Sequence, residues 1–283
     1  MNVQRVAVIG AGTMGNGIAQ VCAQAGVDVV MVDISEEAVQ RGLKTISGSL
    51  DRLVKKEKLS EADKDAALGR ITTSTDYQAI KDAELVIEAA TENLGLKIKI
   101  LEQLDQLLPA EAIIASNTSS ISITEMAAKV SNAGRFIGMH FFNPVPVMAL
   151  VELIRGLQTS DETFEAAQAF VKTIGKTPIE VKNSPGFVVN RILCPMINEA
   201  IFAYQEGLAS AVDIDAGMRL GCNHPIGPLA LADMVGLDTL LAVMEVFYEG
   251  FNDPKYRPAP LLKEMVAAGY LGRKSGRGFY VYE

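Results

Sequence analysis

Val6-Ala7-Val8-Ile9-Gly10-Ala11-Gly12-Thr13-Met14-Gly15-Asn16-Gly17 decides how this sequence is read. Four apolar, mostly β-branched residues run into three glycines spaced GxGxxG. The spacing has a mechanical basis. The first glycine permits a tight turn off a strand, the second lets backbone approach a pyrophosphate, and the third lets a helix pack close to the strand. A helix starting there presents free N–H groups and a partial positive charge to phosphate. Gly10, Ala11, Gly12, Thr13, Met14 and Gly15 are therefore the candidate phosphate cradle.

The context strengthens the motif. A second apolar run, 29–32, delivers Asp33, 18 residues after Gly15. A carboxylate there accepts hydrogen bonds from ribose hydroxyls and repels the extra phosphate of NADP, which favours NAD. Two other readings remain open on the motif alone: FAD, which uses the same fingerprint, and a glycine turn with a capping acid and no nucleotide.

Beyond this unit the first part of the chain alternates β-type and helical patterns. Strands are predicted over 6–9, 29–32, 71–73, 85–87, 113–115, 136–139, 151–154 and 178–181, and helices over 14–25, 36–56, 94–107, 123–130 and 161–174. Several strands are continuous apolar runs, as parallel strands covered on both faces require. Alternation of this kind implies crossover helices and a doubly wound sheet. At Lys182-Asn183-Ser184-Pro185-Gly186 the pattern breaks into a linker, after which β-type runs nearly vanish. Helices are predicted over 188–205, kinked or restarted at Pro195, and over 212–220, 230–247 and 261–268. The expectation is an α/β fold, a Rossmann-type doubly wound, mainly parallel sheet over 1–183, followed by an all-helical domain over 184–283.

Bulk properties narrow the function. With 49% apolar and 21% charged residues among 283, the chain has the composition of a globular protein. Its formal charge of −8 disfavours nucleic acid and membrane surfaces as partners. Cys22, Cys194 and Cys222 form no CxxC pair, and an odd count does not suggest a disulfide framework. Met1-Asn2-Val3-Gln4-Arg5 lacks the features of a signal peptide, and no apolar run approaches a membrane span. A cytoplasmic location is expected, and no metal site.

Only two histidines are present, His140 and His224. His140 closes the strand predicted over 136–139, and ligands gather at the carboxyl ends of such strands. Glu152 follows 12 residues later in the next strand. A carboxylate beside an imidazole fixes its tautomer and equips it as a base; a buried histidine satisfied by backbone would look the same. His224, in a Pro/Gly-rich turn, reads as loop geometry. Ser116-Asn117-Thr118-Ser119-Ser120 offers hydroxyls and an amide to a ligand, or caps the next helix. Arg52, Lys55, Lys56 and Lys58 read as a solvated helix end, or as a seat for the phosphates of a bulky anion.

With these residues laid out, the chain resembles the L-3-hydroxyacyl-CoA dehydrogenase family, most of all its bacterial 3-hydroxybutyryl-CoA dehydrogenases, over essentially its whole length. The strings that carry the resemblance are Val8 to Gly15, Glu88-Ala89-Ala90-Thr91-Glu92, Ser116 to Ser120, and Gly138-Met139-His140-Phe141-Phe142-Asn143-Pro144. They continue through Val151-Glu152, Asn183 to Arg191, Pro225-Ile226-Gly227-Pro228, and Gly276-Arg277-Gly278-Phe279-Tyr280. The resemblance implies NAD-dependent interconversion of a 3-hydroxyacyl-CoA and its 3-oxo thioester, in fatty-acid or butanoate metabolism. It implies His140 as general base oriented by Glu152, with Ser119 and Asn190 bonding substrate oxygens. It implies Glu92, Lys97, Asn117, Asn143 and Lys274 around the nicotinamide half of NAD, Ser49 and Lys56 on the CoA portion, and a homodimer formed through the helical domain. Relatives resembling L-gulonate 3-dehydrogenase, and a non-catalytic NAD-binding sensor, are the competing expectations; basic residues at 52–58 favour CoA, and an intact His140, Glu152, Ser119 and Asn190 set disfavours the sensor.

Overall fold

The computed structural model describes residues 3–283; Met1 and Asn2, the start of the leader reading, lie outside the described residues. The chain divides into two compact units, one up to Ser184 and one from Pro185 on.

The first unit is built on eight strands: β1 (Arg5–Ile9), β2 (Asp28–Val32), β3 (Ile71–Ser74), β4 (Leu85–Glu88), β5 (Ile113–Ser116), β6 (Phe136–Phe141), β7 (Leu150–Arg155) and β8 (Thr177–Lys182). They form one sheet in the order β3-β2-β1-β4-β5-β6-β7-β8. The first six strands in that order run parallel, β7 is antiparallel to β6, and β8 is parallel to β7. Every residue of β4, β5 and β6 is buried, which explains their unbroken apolar character. Helices α1 (Thr13–Gln24), α2 (Glu36–Lys55), α3 (Glu61–Gly69), α4 (Leu94–Leu107), α5 (Ile123–Ala127) and α6 (Asp161–Thr173) provide the connections.

Two features of the sheet position the site. Strand order reverses between β1 and β4, and in open α/β sheets ligands bind at the carboxyl ends of the strands at such a switch point. One register line also crosses the sheet there, pairing Ser74, Val32, Ile9, Glu88, Ser116 and Gly138 in turn. Asp33, Gly10 and Asn117 each follow this line by one residue, and His140 by two.

The second unit contains α7 (Val189–Gln205), α8 (Ala211–Gly221), α9 (Pro228–Val235), α10 (Leu237–Phe251) and α11 (Pro260–Ala267) around a core that includes Ile197, Ile201, Leu229, Leu240, Met244, Phe247 and Leu262. Two buried carboxylates fasten its C-terminal segment. Asp215 accepts from the backbone N–H of Leu229 and Ala230 and from the Tyr280 hydroxyl. Asp233 accepts from the N–H of Phe279 and Tyr280 and from the Tyr282 hydroxyl. Burial and these carboxylates push the Tyr280 phenol above its ordinary range.

The structure corrects the sequence reading in three places. The helix predicted over 230–247 is two helices, because Gly236, at φ +101°, ends one and starts the next. Of the two outcomes expected at Pro195 a restart does not occur: helix α7 continues through it, where the proline forgoes one backbone hydrogen bond. Helix α3 was not anticipated: of its nine residues only Ala67 is buried, so it lacks an apolar stripe, and a Ser60 cap begins it.

Candidate active site

The glycine turn has the shape its spacing predicts. Gly10 sits at φ +101°, a conformation that L side chains rarely adopt. A Cβ on Gly15 would lie 1.8 Å from the Gly10 carbonyl oxygen, whereas one on Gly12 would meet nothing within 4 Å. Helix α1 therefore packs hard against β1 at Gly15 and leaves open space at Gly12. Its N-cap is Gly12, with no side-chain capping bond. An uncapped 12-residue helix beginning beside a cradle that a single Cβ would fill suits a dinucleotide pyrophosphate. The Asp33 carboxylate closes the turn: Oδ2 accepts from Ala11 N at 2.8 Å and Oδ1 from Ile34 N at 2.7 Å. Each oxygen keeps lone-pair capacity for a ribose hydroxyl. Tyr77 senses the same region, its phenol pushed up by burial first and then by the Asp33 and Glu88 carboxylates.

Along the register line a polar network occupies the ends of β4 and β5. Glu88, fully buried, accepts from Lys97 Nζ at 2.5 Å and Ser116 Oγ at 2.8 Å through Oε2, and from Ala90 N at 2.9 Å through Oε1. Glu92 accepts from Thr118 Oγ1 at 2.8 Å, and from Ser119 N and Oγ at 2.5 and 2.7 Å. Lys97 is only 1% exposed. Its ammonium lies 4.0 Å from Oε2 of the more exposed Glu92. Asn117 is buried and accepts from Phe141 N at 2.8 Å, tying β5 to β6 just beyond His140.

His140 lies within β6 rather than beyond its end, directly across from Glu152 on β7. Its Nδ1 is 2.7 Å from Glu152 Oε2, with His140 6% exposed and Glu152 fully buried. Since an ionised carboxylate only accepts, Nδ1 carries the proton toward Glu152, which leaves Nε2 as the proton acceptor. The Phe142 ring stands 4.5 Å from the imidazole. The loop leading from His140 to Glu152 contains exposed Asn143 and is held by Lys176, whose Nζ donates to the carbonyls of Val145 and Met148.

The remaining residues stand on other elements. Ser49 is half-buried on α2, and exposed Lys56 caps that helix. In the second unit Asn190 is half-buried at the second position of α7. Lys274 pairs with Asp238 at 2.5 Å. His224 is part of the turn after α8, its N–H donating to Met218 O. All three cysteines are free, and burial pushes Cys22 and Cys194 up to about 12, which disqualifies both as thiolate nucleophiles at neutral pH.

Sequence reasoning assigned nothing to Glu88, Lys176, Asp215 or Asp233. Glu88 left a detectable signal, a carboxylate closing the otherwise apolar Leu85-Val86-Ile87 run. The others are defined by partners distant in sequence.

Residues 5–184 match the family model described as the NAD-binding domain of 3-hydroxyacyl-CoA dehydrogenase, and residues 186–282 match that of its C-terminal domain. The chain belongs to the 3-hydroxyacyl-CoA dehydrogenase family. It is accordingly an NAD-dependent oxidoreductase. Among relatives of the family, a 3-hydroxybutyryl-CoA dehydrogenase of Bradyrhizobium diazoefficiens is 53% identical, covering 99% of this chain and 96% of its own. A probable 3-hydroxybutyryl-CoA dehydrogenase of Bacillus subtilis is 51% identical over 100% of this chain and 99% of its own. The crystal structure of (S)-3-hydroxybutyryl-CoA dehydrogenase PaaH1 from Ralstonia eutropha superposes with a TM-score of 0.98 at 70% identity, covering both chains fully.

Proposed function

We propose that this enzyme interconverts (S)-3-hydroxybutyryl-CoA and acetoacetyl-CoA, with His140 as the proton-transferring group. The observation that carries the reading is the buried His140–Glu152 pair at the carboxyl end of the sheet that bears the glycine turn. When bound, NAD supplies the acceptor for the hydride of C3. Nε2 of His140 takes the 3-hydroxyl proton in oxidation and returns it in reduction. Glu152 holds the ring in the one tautomer that can do so and stabilises the imidazolium formed.

Ser119 and Asn190 are assigned to the substrate oxygens. Glu92, Asn117, Asn143, Lys97 and Lys274 are assigned to the nicotinamide half, with Lys97 acting through Glu92. The assignments of Asn190 and Lys274 rest on the family resemblance alone. Ser49 and Lys56, seven residues apart and so on one side of α2, are assigned to the CoA portion, with Arg52, Lys55 and Lys58 adding positive charge for its phosphates. The assembly proposed is a homodimer formed through the helical unit, consistent with exposed Ile192, Val212, Leu220 and Met234 there. Among the described residues no helix is long and apolar enough to cross a membrane, and the location proposed is the cytoplasm.

The test is to mix purified protein with NADH and acetoacetyl-CoA and follow reduced-nicotinamide absorbance, with free acetoacetate and NADPH in parallel. Rapid loss confined to NADH with the thioester supports the reading. Absence of turnover with the thioester, and oxidation of a sugar acid such as L-gulonate in the presence of NAD, would replace it.

A further inference from the structure

The Glu88–Lys97 pair stands out among the ion pairs of the first unit. Both side chains are at most 1% exposed, and taking two charges out of water costs several kcal/mol per ion before their attraction offsets it. A well-packed apolar pair would serve stability as well or better. The location is also particular. Glu88 ends β4, Lys97 lies in the first turns of α4, and between them the chain passes Ala89 and Ala90, which abut Gly10, and then reaches Glu92.

The charges along this stretch can be counted. Glu88 carries −1, Lys97 +1 and Glu92 −1, a sum of −1. Glu92 is the member that reaches solvent, its side chain 47% exposed, and Lys97 Nζ lies 4.0 Å away. Lys97 alone would neutralise Glu92. Glu88, 2.5 Å from the same ammonium, takes up that positive charge, so Glu92 presents an uncompensated carboxylate at the surface. Neighbouring hydrogen bonds hold the arrangement: Ser116 Oγ donates to Glu88, and Thr118 and Ser119 donate to Glu92.

We propose that buried Glu88 offsets the charge of Lys97, so that Glu92 keeps its negative charge, and that this balance tunes the preference of the site for oxidised over reduced nicotinamide. The inference rests on the reading of Glu92 as lining the nicotinamide half of NAD. An oxidised nicotinamide ring carries one positive charge and a reduced ring carries none. This stretch, summing to −1, therefore favours the oxidised ring, while contacts to the rest of the dinucleotide serve both forms alike. Neither Glu88 nor Lys97 needs to touch the nucleotide. Both are positioning residues, acting through the charge that Glu92 presents.

Opposite signs follow for the two members of the pair. Glu88→Gln leaves the sum at zero, and Lys97→Met leaves it at −2. The double substitution leaves only Glu92 and restores −1. The experiment is to titrate the full-length protein with NADH by fluorescence and displace it with NAD, giving the ratio of the two dissociation constants without turnover. Relative to wild type, Glu88→Gln is expected to move the ratio about threefold to thirtyfold toward NADH, the scale of one partly screened unit charge. Lys97→Met is expected to move it comparably toward NAD, and the double variant to return within about twofold of wild type. A structural role alone would weaken both nucleotides together, or move both single variants in one direction, and either result overturns the inference. Should Glu88→Gln not fold, Lys97→Met and the double variant still carry the test. Glu92→Gln separates the two levels: an unmoved ratio there sinks the placement of Glu92, and this inference with it. A ratio moved toward NADH there but unmoved in the buried variants sinks this inference alone.

Discussion

His140 and Glu152 face each other across the β6–β7 ladder, with Nδ1 and Oε2 2.7 Å apart. The relationship comes from strand pairing rather than from a loop, so the sheet itself holds the imidazole against its carboxylate. His140→Ala is expected to lower turnover by at least about 10²-fold, the lower end of what general acid–base help contributes, with NADH affinity kept. Glu152→Gln preserves shape but allows the ring its other tautomer, and a loss of about 10²–10⁴-fold is expected. The NADH absorbance assay with acetoacetyl-CoA measures both. Turnover within twofold of wild type in the alanine variant would remove His140 from the mechanism.

Gly12 and Gly15 are expected to fail in different ways. A Cβ at Gly15 would lie 1.8 Å from the Gly10 carbonyl oxygen, and no rotation relieves a methyl group. Gly15→Ala should therefore destabilise the nucleotide-free protein by about 3 kcal/mol. Gly12→Ala has space around it and should melt like wild type, yet lose most of the rise in Tm that NADH gives. Thermal melts with and without NADH distinguish the two. Equal melting of the two nucleotide-free variants would contradict the geometry.

Asp33 receives Ala11 N and Ile34 N and retains lone pairs for a ribose. Asp33→Ala should weaken NADH binding by about 10- to 100-fold, the range for losing hydrogen bonds to a charged acceptor. Its penalty against NADPH should be smaller or reversed, because the repulsion of a 2′-phosphate goes with the carboxylate. Titration with both reduced nucleotides gives the ratio; an unchanged ratio would deny Asp33 its selective role.

Asp105 anchors α4 to the start of β6 through Ser131 and the Arg135 guanidinium. Burial raises its carboxyl, but the Ser131 N–H, Arg135 and the Ser131 hydroxyl together outweigh that and hold it below the usual range. A carboxyl depressed in the folded state stabilises fully above its unfolded value, near about 4, and loses that contribution as pH falls through the folded value. Asp105→Asn should lower Tm by roughly 5 °C at pH 7. The deficit should shrink below about pH 4, where wild type loses the same interaction. An equal deficit at pH 7 and pH 3 would show that the carboxylate charge is not what stabilises.

Much of the fold was legible because its signals are local. The glycine spacing, the alternation of apolar runs with helical periods, and the break at Ser184-Pro185-Gly186 each depend on neighbours within a few residues. All eight predicted strands are present. What was misread depended on context: one backbone angle at Gly236 divides a helix whose apolar pattern runs straight through it, and α3 has almost no buried face to announce it.

By itself, the sequence determined the strand–turn–helix cradle and the acid that follows it, because residue type and short spacing fix those; it offered His140 and Glu152 only as candidates, and the family resemblance gave them their roles. Only the tertiary structure decided that His140 and Glu152 are register partners, that Lys97 lies buried on Glu88 rather than open at the surface, and that Glu92 holds Ser119. Those relations span 9 to 27 residues of chain. They are set by which strands pair and in what register, and burial, which only packing creates, gives the charges among them their strength.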